Sequence, residues 1–135
     1  MSYISWNEKY SVNNREIDYQ HKTIIRLINE LDDSQAEKNR TGSIERTLLE
    51  LVKYTAYHFS YEEKLLVECG YPHAREHISQ HNGLIEELKQ FMIRNNNENE
   101  LPADDLRYFL SDWLKFHIMK SDKNYSSFLS DISIN

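Results

Sequence analysis

His58-Phe59-Ser60-Tyr61-Glu62 sets an imidazole and a carboxylate four residues apart inside a strongly apolar helical pattern. On an α-helix that spacing stacks the two side chains one above the other on a single face. Leu48, Leu51, Tyr54 or Thr55, and Leu65 mark the same face as the inward one. A carboxylate buried without a partner is costly, so an inward pair of this kind implies something cationic in the core, with a metal ion the evident candidate. One pair alone proves little. Its weight depends on whether other helices aim ligands at the same point.

Working outward, Ser43 is the expected N-cap of this helix and Gly70 its stop signal, with Pro72 just beyond. The preceding helix is expected from Asp18, as N-cap, to about Glu37. Its stripe reads Ile24, Ile25, Ile28 and Leu31, with His21 at one end. A third helix opens at Pro72, a residue favoured in a first turn. It carries His77, His81, Leu84, Leu88 and Phe91 inward and fades in Asn95-Asn96-Asn97. After a polar loop Pro102 opens a fourth, where Leu106, Leu110, Trp113 and His117 recur at helical spacing. Residues 1–17 lack a clear period and read as an extended N-terminal arm, with Trp6 and Tyr10 packed against the outside of the body. Four amphipathic helices joined by short polar loops predict an all-α, antiparallel up-down-up-down four-helix bundle forming one domain over residues 1–135.

Composition agrees and excludes several function classes. Only three Gly and two Pro leave few turns, which favours long helices over many strands. A net charge of −6 argues against a nucleic-acid footprint and gives no attraction to anionic lipid. The single Cys69 forms no internal disulfide and reads as a small residue at a helix end. The start lacks a leader pattern, and no window approaches a membrane span. A soluble cytoplasmic protein, and a monomer, are the expectations.

His77-Ile78-Ser79-Gln80-His81 places two imidazoles where both reach one ion. Alone it fits two solvated surface histidines equally well, and a lone His21 or His117 on an apolar face fits a satisfied core histidine. Together, five of the six His fall on the inward stripes of four helices, and that many buried imidazoles need hydrogen-bond partners or metal. His73, beside Pro72, reads as a surface residue. Asp122 is the candidate second carboxylate near His117. Five residues along a regular helix would leave it about 140° away; a helix end, a widened turn or a π-bulge between them would bring both inward, so irregular backbone is predicted at Met119 to Ser121. The alternative is a capping or surface acid.

HxxxE at 58–62, HxxxH at 77–81, HxxxxD at 117–122 and the isolated His21 in Ile17-Asp18-Tyr19-Gln20-His21 together resemble the ligand set of hemerythrin, in its single-domain bacterial form. The resemblance runs from Trp6 to about Phe128. It implies two non-haem iron ions per chain, His77, His81 and His117 on one and His21 and His58 on the other. Glu62, Asp122 and an oxo or hydroxo group would bridge them. Phe59, Trp113, Leu114 and Ile118 match positions lining an apolar dioxygen pocket, and Tyr71, Pro72 and Tyr125 also fit the pattern. Leu66 departs from it, since bacterial members often carry Met there.

On this ligand set one position of an octahedral pair stays open, on the iron with two histidines. Imidazole-rich sites with few carboxylates suit first-row metals and favour reversible binding over oxygen activation. The resemblance therefore implies a dioxygen carrier, store or local supplier, with no turnover, whose recipient would be an unidentified oxygen-using enzyme. Other readings are a sensor of oxygen, nitric oxide or redox state, a peroxide-handling diiron oxidoreductase, and a dinuclear hydrolase.

Overall fold

The computed structural model describes residues 4–34, 40–97 and 103–131. Among them four helical rods form a bundle: α1 over Arg15–Ser34, α2 over Arg40–Glu68, α3 over Ala74–Asn97, and a last rod that is continuous but changes its winding. That rod is α4 over Ala103–Leu114, a π-helical segment over Lys115–Asp122, and α5 over Lys123–Asp131. No helix of the described residues is long and apolar enough to cross a membrane.

The rods are antiparallel neighbours, because residue numbers that rise along one fall along the next. His21 meets His58 while Ser34 meets Thr47. Glu62 meets His77 while Phe59 meets His81. His81 meets His117 while Phe91 meets Phe109.

Several helix ends differ from expectation for identifiable reasons. Helix α1 starts before Asp18 because Asn14 is the cap: its side-chain oxygen accepts from Ile17 N at 2.9 Å. Asn13, at φ 60, turns the chain into the helix in a conformation Asn tolerates. Asp18 instead holds the arm, accepting from Ser11 Oγ at 2.6 Å and Val12 N at 2.9 Å. The arm itself carries a 3-10 turn over Glu8–Tyr10, so it is less extended than expected. Trp6 and Tyr10 do pack on the core, and Lys22 lies 5.0 Å over the Trp6 ring. Ser43 lies inside α2, which begins at Arg40, so it does not cap the helix. The expected end of α1 beyond Ser34 and the opening Pro102 lie outside the described residues. At the far end of α2, Gly70 takes φ 76, with Gly70 N bonded to Val67 O and Tyr71 N to Leu66 O. This is the left-handed stop that glycine favours. Pro72 sits in the turn before α3, which starts at Ala74 and ends at Asn97.

The buried apolar residues form two clusters. One contains Ile24, Ile28, Leu31, Leu48, Leu51, Leu88 and Leu110; the other contains Val12, Ile17, Leu66, Tyr125 and Leu129. On α2 the inward stripe resolves to Thr55 rather than Tyr54, and Leu66 is fully buried where Leu65 was expected. A polar layer crosses the bundle between the clusters, contributed by every rod.

Candidate metal centre

The layer contains His21 from α1, His58 and Glu62 from α2, His77 and His81 from α3, and His117 and Asp122 from the π segment, each at most 4% exposed. Water is therefore nearly excluded from two carboxylates and five imidazoles. His73 is exposed, as its place beside Pro72 suggested. The π segment covers Met119 to Ser121 and extends beyond them on both sides. An extra residue per turn is what brings Asp122 back over His117, with Oδ2 3.1 Å from its Nε2.

Both carboxylates straddle the layer. Glu62 Oε2 faces His58 Nε2 at 3.2 Å and His21 Nε2 at 3.9 Å, while its Oε1 faces His77 Nε2 at 2.6 Å and His81 Nε2 at 2.9 Å. Asp122 Oδ2 faces His21 Nε2 at 2.8 Å, and its Oδ1 faces His77 Nε2 at 2.9 Å. Donor atoms thus fall into two groups able to hold a metal ion: His21, His58 and His117, and His77 and His81, with Glu62 and Asp122 common to both. This grouping puts the His117 nitrogen beside His21 and His58, whereas the family resemblance pairs it with His77 and His81. The rings lean the other way, the His117 centroid lying 5.1 Å from His81 and 6.2 Å from His21.

Several of these short contacts lack the direction of hydrogen bonds. His81 Nε2, His117 Nε2 and both Asp122 oxygens are buried with no hydrogen-bond partner among the described residues. Buried polar atoms are normally satisfied. Nitrogens and oxygens that converge without donor–acceptor alignment make a set suited to cations placed between them, and imidazole with carboxylate suits iron among first-row metals.

An outer ring of partners orients the layer, and those of the imidazoles were not identifiable from the sequence. His58 Nδ1 lies 2.8 Å from Gln20 Oε1, and Gln20 Nε2 donates to Glu16 at 2.9 Å. His81 Nδ1 lies 2.7 Å from Glu63 Oε2. Tyr125 Oη donates to Glu62 Oε2 at 2.7 Å from a fully buried position. Such partners fix which ring nitrogen is free for a metal. The one signal for Gln20 and Glu63 was adjacency to a ligand, His21 and Glu62, and adjacency alone does not set direction.

The charges are strongly coupled. Burial pulls His58 down, but the charge of Glu62 and the nearness of Asp122 overcome it and push the imidazole up to about 9. Burial likewise opposes His77, which Asp122 and Glu62 push up to about 10. His117, with burial dominant, is held below its ordinary value. Burial and Asp122 oppose ionisation of Glu62, yet His58 and His77 hold it well below the usual carboxylate range. Asp122 is depressed in the same way, burial opposed by His117, His21 and His58. Burial and both carboxylates raise the Tyr125 phenol well above its normal range, so it stays a donor.

An apolar wall lines one side. Phe59 stacks face to face on His81 at 3.7 Å and meets His117 edge-on at 4.8 Å. Trp113 lies 27° from parallel to His117 and also lines a surface groove of ≈ 790 Å³ with Leu84, Phe109 and Phe116. Leu114 is buried beside them. The Ile118 side chain lies outside the described residues.

Comparison with known proteins gives a consistent result. The family described as "Hemerythrin HHE cation binding domain" matches residues 12–129. A protein named bacteriohemerythrin from Pseudomonas aeruginosa is 34% identical over 125 residues, covering 93% of this chain and 80% of that protein. Another so named, from Methylococcus capsulatus, is 33% identical over 132 residues, covering 96% and 99%. A crystal structure of wild-type hemerythrin superposes with a TM-score of 0.86 at 30% identity, covering 96% of this chain and 99% of that one.

Proposed function

This chain belongs to the hemerythrin family, and we propose that it binds dioxygen reversibly at a pair of non-haem iron ions, as a carrier, store or local supplier rather than an enzyme. On that reading His77, His81 and His117 would hold one iron and His21 and His58 the other, with Glu62 and Asp122, common to both donor groups, available to each. The observation that supports this best is that each carboxylate presents its two oxygens to two different sets of imidazoles.

When bound, an iron pair supplies two electrons that dioxygen takes up and returns. The chain's part is to hold and enclose that pair. Gln20 and Glu63 engage the Nδ1 atoms of His58 and His81 and so keep the Nε2 atoms of those two rings turned inward. The Tyr125 hydroxyl keeps Glu62 oriented. Phe59, Trp113 and Leu114 exclude water, and none carries a carboxyl or ammonium group to protonate a bound ligand. Reversibility depends on that dry wall, since a proton delivered there would release reduced oxygen.

The test is metal analysis with a visible spectrum. About two irons per chain are expected, with a band that appears when air meets the reduced protein and disappears under argon. Steady consumption of peroxide or dioxygen by the purified protein would support an enzyme instead.

A further inference from the structure

The partners behind the two groups of histidines differ in charge. His58 Nδ1 faces the neutral amide oxygen of Gln20 at 2.8 Å, fully buried. His81 Nδ1 faces the carboxylate of Glu63 at 2.7 Å. His81 belongs to the donor group with His77, and His58 to the group with His21. Glu62 and Asp122 are common to both groups, so they do not distinguish them. Among the described residues His21 Nδ1 and His117 Nδ1 are buried with no partner, whereas Glu63 sets a carboxylate behind the His81 ring.

We propose that Glu63 sets the order in which the two metal positions lose electrons, making the His77/His81 position the easier to oxidise. This rests on the diiron reading given above. A carboxylate accepting the Nδ1 proton raises the basicity of the opposite nitrogen and adds a negative charge on one side of the pair. Both effects favour the ferric ion there. Oxidation by ferricyanide, a one-electron oxidant, then removes one electron from the iron held by His77 and His81, yields ferrocyanide, and makes or breaks no bond. The iron left ferrous is the one beside His21 and His58. Glu63 is a positioning residue: it acts through His81 and touches no ion.

The experiment compares wild type, Glu63→Gln and Glu86→Gln, the last removing one exposed carboxylate from α3 whose side chain accepts from Gln90 rather than from the layer. The Glu63 side chain is 27% exposed and the change nearly isosteric, so folding is not at risk. Iron content, the first one-electron potential and the EPR signal of the half-oxidised protein are measured. In Glu63→Gln an unchanged iron content is expected, with an altered signal and a first oxidation harder by about tenfold in its equilibrium constant, ~59 mV. Glu86→Gln should match wild type. An unchanged potential, an equal shift in both variants, or loss of iron from Glu63→Gln would each overturn the proposal. Failure of the wild type to bind an iron pair would instead sink the functional reading.

Discussion

At the level of single residues, the layer is held by side chains of quite different legibility. His58, Glu62, His77 and His81 were readable because helical spacing alone puts each pair on one face. Gln20 and Glu63 were not, because a side chain one step off the stripe turns inward only if a neighbouring helix offers it a partner. Tyr125→Phe tests another contact of this outer ring. It removes the donor to Glu62 Oε2 from a fully buried site, and an unsatisfied buried acceptor costs about 1–3 kcal/mol. A lower melting temperature and iron affinity weakened about 10–100-fold are expected, checked by thermal unfolding and competition with a chelator. Leu114→Tyr should crowd the apolar wall and slow dioxygen entry while iron content stays near that of wild type. Stopped-flow mixing with air-saturated buffer measures the rate, and full metal loss would show that Leu114 supports the site itself.

At the level of elements, the decisive piece is the π-helical turn over Lys115–Asp122. The HxxxxD spacing demanded an irregularity here, because a regular helix would turn Asp122 away from His117, but it did not choose a π turn over a helix end or a widened turn. Its location was legible; its length was not, since the extent of an irregular turn depends on packing at both ends. The misplaced start of α1 has a plain cause: Asn14 and Asp18 are both competent caps, and a tertiary contact chooses between them, Asp18 binding the arm and leaving the capping of α1 to Asn14. Gly70 is the opposite case, fixed locally by its positive φ. A Cβ there would meet nothing within 4 Å, so Gly70→Ala should cost only the left-handed backbone strain, about 1–2 kcal/mol. Denaturant unfolding with an unchanged m-value checks this.

At the level of the whole molecule, a charged layer through the centre makes stability depend on what occupies it. His58 and His77 hold protons up to about 9 and 10, above the ordinary 6.5. In metal-free protein their pairing with Glu62 and Asp122 therefore contributes fully below pH 6.5. It is lost as pH rises through those values. Melting temperature without metal should fall between about pH 6.5 and 10, whereas iron-loaded protein, its ligands already deprotonated, should hold steady over that range. Thermal melts before and after chelation decide. The four-rod architecture was legible because periodicity and loop composition agree along nearly the whole chain. The division of its interior was not, because a stripe of apolar residues does not reveal that His and carboxylate side chains sever it. Among the described residues those two greasy halves are separate clusters, so on the proposed reading the metal pair would rivet them together. With it removed, amide protons of Leu66 and Leu129 at one end should exchange on a different schedule from those of Leu31 and Leu48 at the other, each half breathing alone.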